Sequence, residues 1–131
     1  MTGPGDDTGA ADDLPARAPE AADLLGLAGA RDGVEAGVRW HLRGDGDLNA
    51  NLVSFPEGEG VGEHVNDALD VLIVGMGGEG DLVVDGVAHA LTLGSVVLVP
   101  RGSRRGTRAR SERFSYLTVH RRRTPGISLG P

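Results

Sequence analysis

Between Val38 and Val119 the apolar residues fall at alternate positions, or in short runs broken by glycine and proline. Val38, Trp40 and Leu42 alternate with Arg39, His41 and Arg43, the period-two pattern of a half-buried strand. Asn49–Phe55 and Phe114–Val119 predict two further strands, and Pro56–Gly60 a turn. Leu69–Val74 and Ser95–Val99 are apolar and β-branched, as in buried strands, and Pro100 stops the second. Asp81–Val84 and Val87–Leu93 flank Asp85-Gly86, a dipeptide that tolerates the positive φ angles of a tight hairpin turn. Seven to nine short strands with turn residues between them predict an all-β domain, a single small antiparallel β-barrel, over residues 34–123.

The flanks read differently. Residues 1–18 hold almost no large apolar side chain, and so cannot offset the entropy of ordering; they are expected to be disordered. Residues 19–30 predict a short, weak helix, with Pro19 and Glu20 in its first turn and Leu24, Leu25 and Leu27 as its contact face. Gly26 and Gly29 weaken it. The N-terminal extension is thus residues 1–33, and residues 124–131 form a C-terminal tail.

Composition narrows the function classes. The chain of 131 residues is one domain long and has no cysteine, so neither disulfides nor thiolate metal sites arise. No apolar run approaches the ~20 residues that span a bilayer. No basic start followed by an apolar stretch marks a signal peptide. A soluble cytoplasmic protein is the expectation. Charge is segregated: residues 1–100 carry four arginines against eighteen acids, and residues 101–131 nine arginines against the single acid Glu112. The net charge of −6 and the scarcity of aromatic residues argue against nucleic acid as a partner.

Spacing then becomes specific. Gly58, His64, Asn66, Asp70 and Gly77 are separated by five, one, three and six residues; sixteen more lead to Gly94. Gly94, Pro100, Gly102, Arg105 and Ala109 follow at separations of five, one, two and three. This framework resembles the two motifs of the cupin superfamily, a Gly–His–His–Glu–Gly pattern followed by a Gly–Pro–Gly–His–Asn pattern. Gly58, His64, Gly77, Gly94, Pro100 and Gly102 keep both identity and register. The resemblance covers about Arg39 to His120 and implies a jelly-roll barrel.

It also implies a divalent metal held by two histidines, a glutamate and a third histidine. Those positions here are His64, Asn66, Asp70 and Arg105. Asn66 offers a neutral amide oxygen, a poor ligand for iron, zinc or nickel. Arg105 carries a fixed positive charge and no lone pair. The expectation is that Arg105 replaces the metal's charge, that its guanidinium pairs with Asp70, and that His64 and Asn66 lie beside it. Three plainer readings stand next to this one. His64 and Asn66 are strand residues bonded to each other, Asp70 pairs with Arg105 structurally and has no ligand role, or Arg104 and Arg105 are exposed turn residues. His41 and His89 read as surface side chains.

Three function classes follow. The first is a non-enzymatic barrel that binds a small polar or anionic ligand, with no resident cofactor, at His64, Asn66, Asp70 and Arg105. Apolar lining would come from strand residues such as Leu72, Val74, Val97 and Val99. The second is a metal-dependent oxygenase or isomerase with a displaced ligand set, His64, Asp70 and His120. A third class is structural: the barrel is a scaffold that forms a homodimer, with Trp40 and its edge strand as a candidate contact and the arginine-rich stretch 101–123 facing acidic surface on the partner.

Overall fold

The computed structural model describes residues 18–29, 36–44 and 46–122. The expectations for residues 1–17 and for the tail at 124–131 lie outside the described residues.

The described residues form nine strands: β1 (Gly37–His41), β2 (Leu48–Pro56), β3 (His64–Val65), β4 (Val71–Gly77), β5 (Gly80–Val84), β6 (Val87–Leu91), β7 (Val96–Val99), β8 (Arg104–Ala109) and β9 (Arg113–Arg121). They form a five-stranded sheet in the order β1-β2-β9-β4-β7 and a four-stranded sheet in the order β3-β8-β5-β6. Every pairing is antiparallel. No ladder joins the two sheets among the described residues, so the expected barrel takes the flattened, two-sheet form of a jelly roll.

The hairpin at Asp85-Gly86 forms as its chemistry requires. Asp85 has φ 49° and Gly86 φ 84°, and β5 and β6 pair from Val84↔Val87 outward.

The core lies between the sheets. Phe55, Ile73, Leu82, Leu91, Val99 and Phe114 meet there, each buried. β2 and β9 pair without interruption from Leu48↔Arg121 to Pro56↔Arg113, so alternation fixes which side chains share the inner face. Phe114, Tyr116 and Phe55 stack at one end of it, with ring centroids 5.2 and 6.1 Å apart along the series.

Two strands present different residues inward than their apolar runs suggest. On β4 the buried, inward residues are Val71 and Ile73, while Leu72 and Val74 are half-buried on the outer face. An unbroken apolar run carries no alternation, and only the ladder decides its faces. On β1 the register shifts between Val38 and Trp40, and this irregularity leaves Val38 59% exposed, although the sequence pattern places it with Trp40 inside. Trp40 is half-buried on β1, which is an edge strand of the larger sheet.

The expected helix is shorter than its sequence window: α1 spans Leu24–Gly29. Asp23 caps it. Its Oδ1 accepts from the Gly26 N–H at 3.1 Å, and its carbonyl accepts from the Leu27 N–H at 3.0 Å. Glu20 is not in a first turn; both its carboxylate oxygens lie 3.0 Å from the Arg43 N–H. Among the described residues no helix is long and apolar enough to cross a membrane.

Candidate functional site

The site begins where β2 ends. Gly58 (φ 85°) turns the chain after Pro56, and residues 58–66 then run back along β8. The Thr107 N–H donates to the Val61 carbonyl at 2.9 Å, and the Gly102 N–H to the Asn66 carbonyl at 2.8 Å. Gly60 lets the two backbones touch, because a Cβ there would sit 2.1 Å from the Thr107 carbonyl oxygen. This irregular track ends in the short strand β3 and sets His64 opposite Arg105.

Arg105 faces the interior. Its neighbours on the same side of β8 are Thr107 and the core residue Ala109, and only 6% of its surface is exposed. Its Nε–H donates to His64 Nε2 at 3.3 Å. Its Nη1 is buried and has no hydrogen-bond partner among the described residues. Burial draws the guanidinium pKa down from its ordinary value, but arginine starts so high that the charge persists at neutral pH. A buried donor left unsatisfied costs roughly 1–3 kcal/mol, and more when charged.

His64 is exposed and held from both ring nitrogens. Nδ1 lies 2.9 Å from the Gly62 carbonyl oxygen, which only accepts, so Nδ1 carries the hydrogen. Nε2 then presents its lone pair to the Arg105 Nε–H.

The other two expected site residues go elsewhere. Asp70 does not pair with Arg105. It is exposed, and its Oδ1 accepts from the Arg101 N–H at 2.8 Å. The reason is parity: Val71 begins β4 facing inward, so Asp70, one residue before it, points outward. Asn66 closes a turn, its Oδ1 accepting from the N–H groups of Ala68 at 2.9 Å and Leu69 at 3.1 Å. It does not bond His64. Arg104 is exposed and Arg105 buried, and both begin a strand rather than a turn. Of the expected lining, Val97 and Val99 face the core, and Leu72 and Val74 do not.

The displaced ligand set His64, Asp70 and His120 is not assembled. His120 is on β9, with Nδ1 2.8 Å from the Arg121 carbonyl oxygen and Nε2 3.5 Å from Asn49 Nδ2. Among the described residues no three His, Cys, Asp or Glu side chains group to hold a metal ion. The donor chemistry at Arg105 also does not fit one. The His64 lone pair that a metal would need already accepts from a guanidinium N–H, and a fixed cation occupies the neighbouring position.

Two residues that the motif comparison passes over belong to the interior polar group. Thr107 Oγ1 lies 2.9 Å from the Tyr116 hydroxyl and accepts from the Val61 N–H at 3.0 Å. Burial raises the Tyr116 pKa, and the Thr107 bond lowers it by less. Their signal in the sequence is alternation: Phe114, Tyr116 and Thr118 fall on one face of the last strand.

The sequence matches no protein-family model and no curated protein. Solved structures do match. A Thermus thermophilus protein, TT1209, is 21% identical with a TM-score of 0.69, over 81% of this chain and 100% of that one. A cupin superfamily protein from Desulfitobacterium hafniense is 25% identical with a TM-score of 0.63, over 81% of this chain and 92% of that one. KdgF from a Halomonas species is 19% identical with a TM-score of 0.60, over 66% of this chain and 78% of that one. Glycine, proline and histidine in cupin register, a two-sheet jelly roll and these neighbours agree: the chain has the cupin fold.

Proposed function

We propose that this chain is a small-ligand-binding protein whose interior takes an anionic group on Arg105, with no resident metal. The observation that carries this reading is the buried Arg105 Nη1 without a partner. Folding removes water from that N–H and supplies no acceptor in return. A carboxylate or phosphate oxygen is the natural acceptor for a guanidinium, and the exchange restores the lost hydrogen bond. His64 fixes the guanidinium from its Nε side, so the fork is oriented before a ligand arrives. Asp70 and Asn66 support the surrounding turns and do not contact the ligand.

Calorimetric titration with acetate, citrate and inorganic phosphate tests the reading. At least one anion gives saturable heat with the native chain, is lost in Arg105→Met, and is retained in Arg104→Met, where the exposed neighbour is removed. Equal heats in the native chain and Arg105→Met would overturn it.

A further inference from the structure

The inner face of the five-stranded sheet changes character along its length. In the uninterrupted β2–β9 register the inward pairs are Phe55↔Phe114, Val53↔Tyr116, Asn51↔Thr118 and Asn49↔His120. The first two pairs belong to or pack against the core. Alternation therefore puts the last two pairs on the same inner face, but with amide, hydroxyl and imidazole groups in place of hydrocarbon. All four polar residues are half-buried.

On the opposite sheet Arg105 occupies the matching level along β8. The Thr107–Tyr116 contact at 2.9 Å fixes the level at which β8 faces β9 across the interior. The two strands leave a short connection at residues 110–112 and enter opposite sheets. Two residues farther along each strand, on the same inner faces, stand Arg105 and Thr118. Thr118 is paired with Asn51 on one side and Ile73 on the other.

These groups are not spent on one another. The Thr118 hydroxyl reaches the Asn51 carbonyl only at 3.5 Å, and Asn49 meets His120 at the same distance. The Asn51 side-chain amide has no hydrogen-bond partner among the described residues. A core position of this kind ordinarily carries an apolar residue, because half-buried polar groups without partners gain nothing from packing.

We infer that the interior binds a small hydroxylated carboxylate. Its carboxylate lies on Arg105 and its hydroxyl groups on Asn51 and Thr118, which act as specificity-determining residues. The inference rests on the anion-binding reading of Arg105 and adds the ligand's second half. Charge alone suits any small anion. The Asn51–Thr118 face selects one that brings donors and acceptors along its chain, since a hydrocarbon tail there leaves the protein's polar groups dehydrated and unpaired.

Gluconate and hexanoate test this by calorimetry on the full chain. They share charge and chain length and differ in hydroxyl groups. Gluconate is expected to bind about tenfold tighter or more, as one or two added hydrogen bonds require. The double substitution Asn51→Ala, Thr118→Val brings the two anions to within about twofold by weakening gluconate alone. Should the double variant fail to fold, Thr118→Val alone, which preserves shape, is expected to narrow the gap. Equal binding of the two anions by the native chain, or a gap that survives the substitutions, overturns this inference and leaves Arg105 as the anion site. Binding of neither overturns this inference, while the anion reading of Arg105 then stands or falls on the titrations with acetate, citrate and phosphate.

Discussion

The two ends of the jelly-roll interior are built by the same strands and differ in character. At one end β2, β8 and β9 contribute Phe55, Ala109, Phe114 and Tyr116, all buried and in contact with the core. Gly80 on β5 lies so close beneath Phe114 that a Cβ would come within 2.4 Å of the ring. At the other end the same three strands contribute Asn51, Arg105 and Thr118, each four residues along the chain from Phe55, Ala109 and Phe114 respectively. The first end is closely packed around Phe114, and its polar group is the Thr107–Tyr116 pair. The second buries a charged donor without a partner. Hydrocarbon is concentrated at the first end and polar groups at the second, along the same strands. A jelly roll needs its alternation along the whole strand, but only part of that length must be filled with hydrocarbon to hold the sheets together.

This contrast can be broken from either side. The largest effect is expected at the packed end, where Phe114→Ala costs roughly 3–5 kcal/mol in urea unfolding, because its ring fills the space that Gly80 leaves open. A cost below ~1 kcal/mol would mean that this end is loosely packed. At the other end the sign reverses. Arg105→Met exchanges a buried, partly unsatisfied cation for an apolar chain of similar length, and is expected to raise stability by ~1–3 kcal/mol while abolishing anion binding. A variant that is less stable than the native chain would show that Arg105 is satisfied within the fold.

Asn66→Ala separates support from recognition. It removes the acceptor for two backbone N–H groups and should cost about 1 kcal/mol. Anion affinity measured in the same variant is expected to stay within about twofold of native. The smallest effect is a pH dependence. Burial raises the Tyr116 pKa, so the folded state favours the neutral phenol. That contribution is complete below the ordinary tyrosine range, about 10, and is lost as pH rises above it. Unfolding followed from neutral to strongly alkaline pH should show a fall in stability that is shallower in Tyr116→Phe.

The sequence exposes the frame of this fold more readily than its contents. Gly58 and Gly102 stand at φ 85° and 86°, a conformation that leaves little choice of residue, and their fixed spacing carries the resemblance to cupins. Asp85-Gly86 is legible for the same reason. Direction along a strand is harder. Leu69–Val74 is apolar almost throughout, so nothing in it says that Val71 and Ile73 face inward, and an error of one residue turns Asp70 from solvent into the interior. β3 is two residues long and flanked by polar residues, and it exists because β8 offers it a partner. Arg105 itself is legible as an unusual residue at a ligand position. That it bonds His64 and not Asp70 depends on the irregular track of residues 58–66, which no periodicity records.

The central claim is that the buried guanidinium of Arg105 is built to receive an anion. The most direct test is a crystal structure of the full chain grown with gluconate. The account predicts a carboxylate oxygen at hydrogen-bonding distance from Arg105 Nη1, with His64 still bonded to Nε. A guanidinium paired with a protein carboxylate, or an anion found only on exposed arginines such as Arg101 and Arg104, would contradict it.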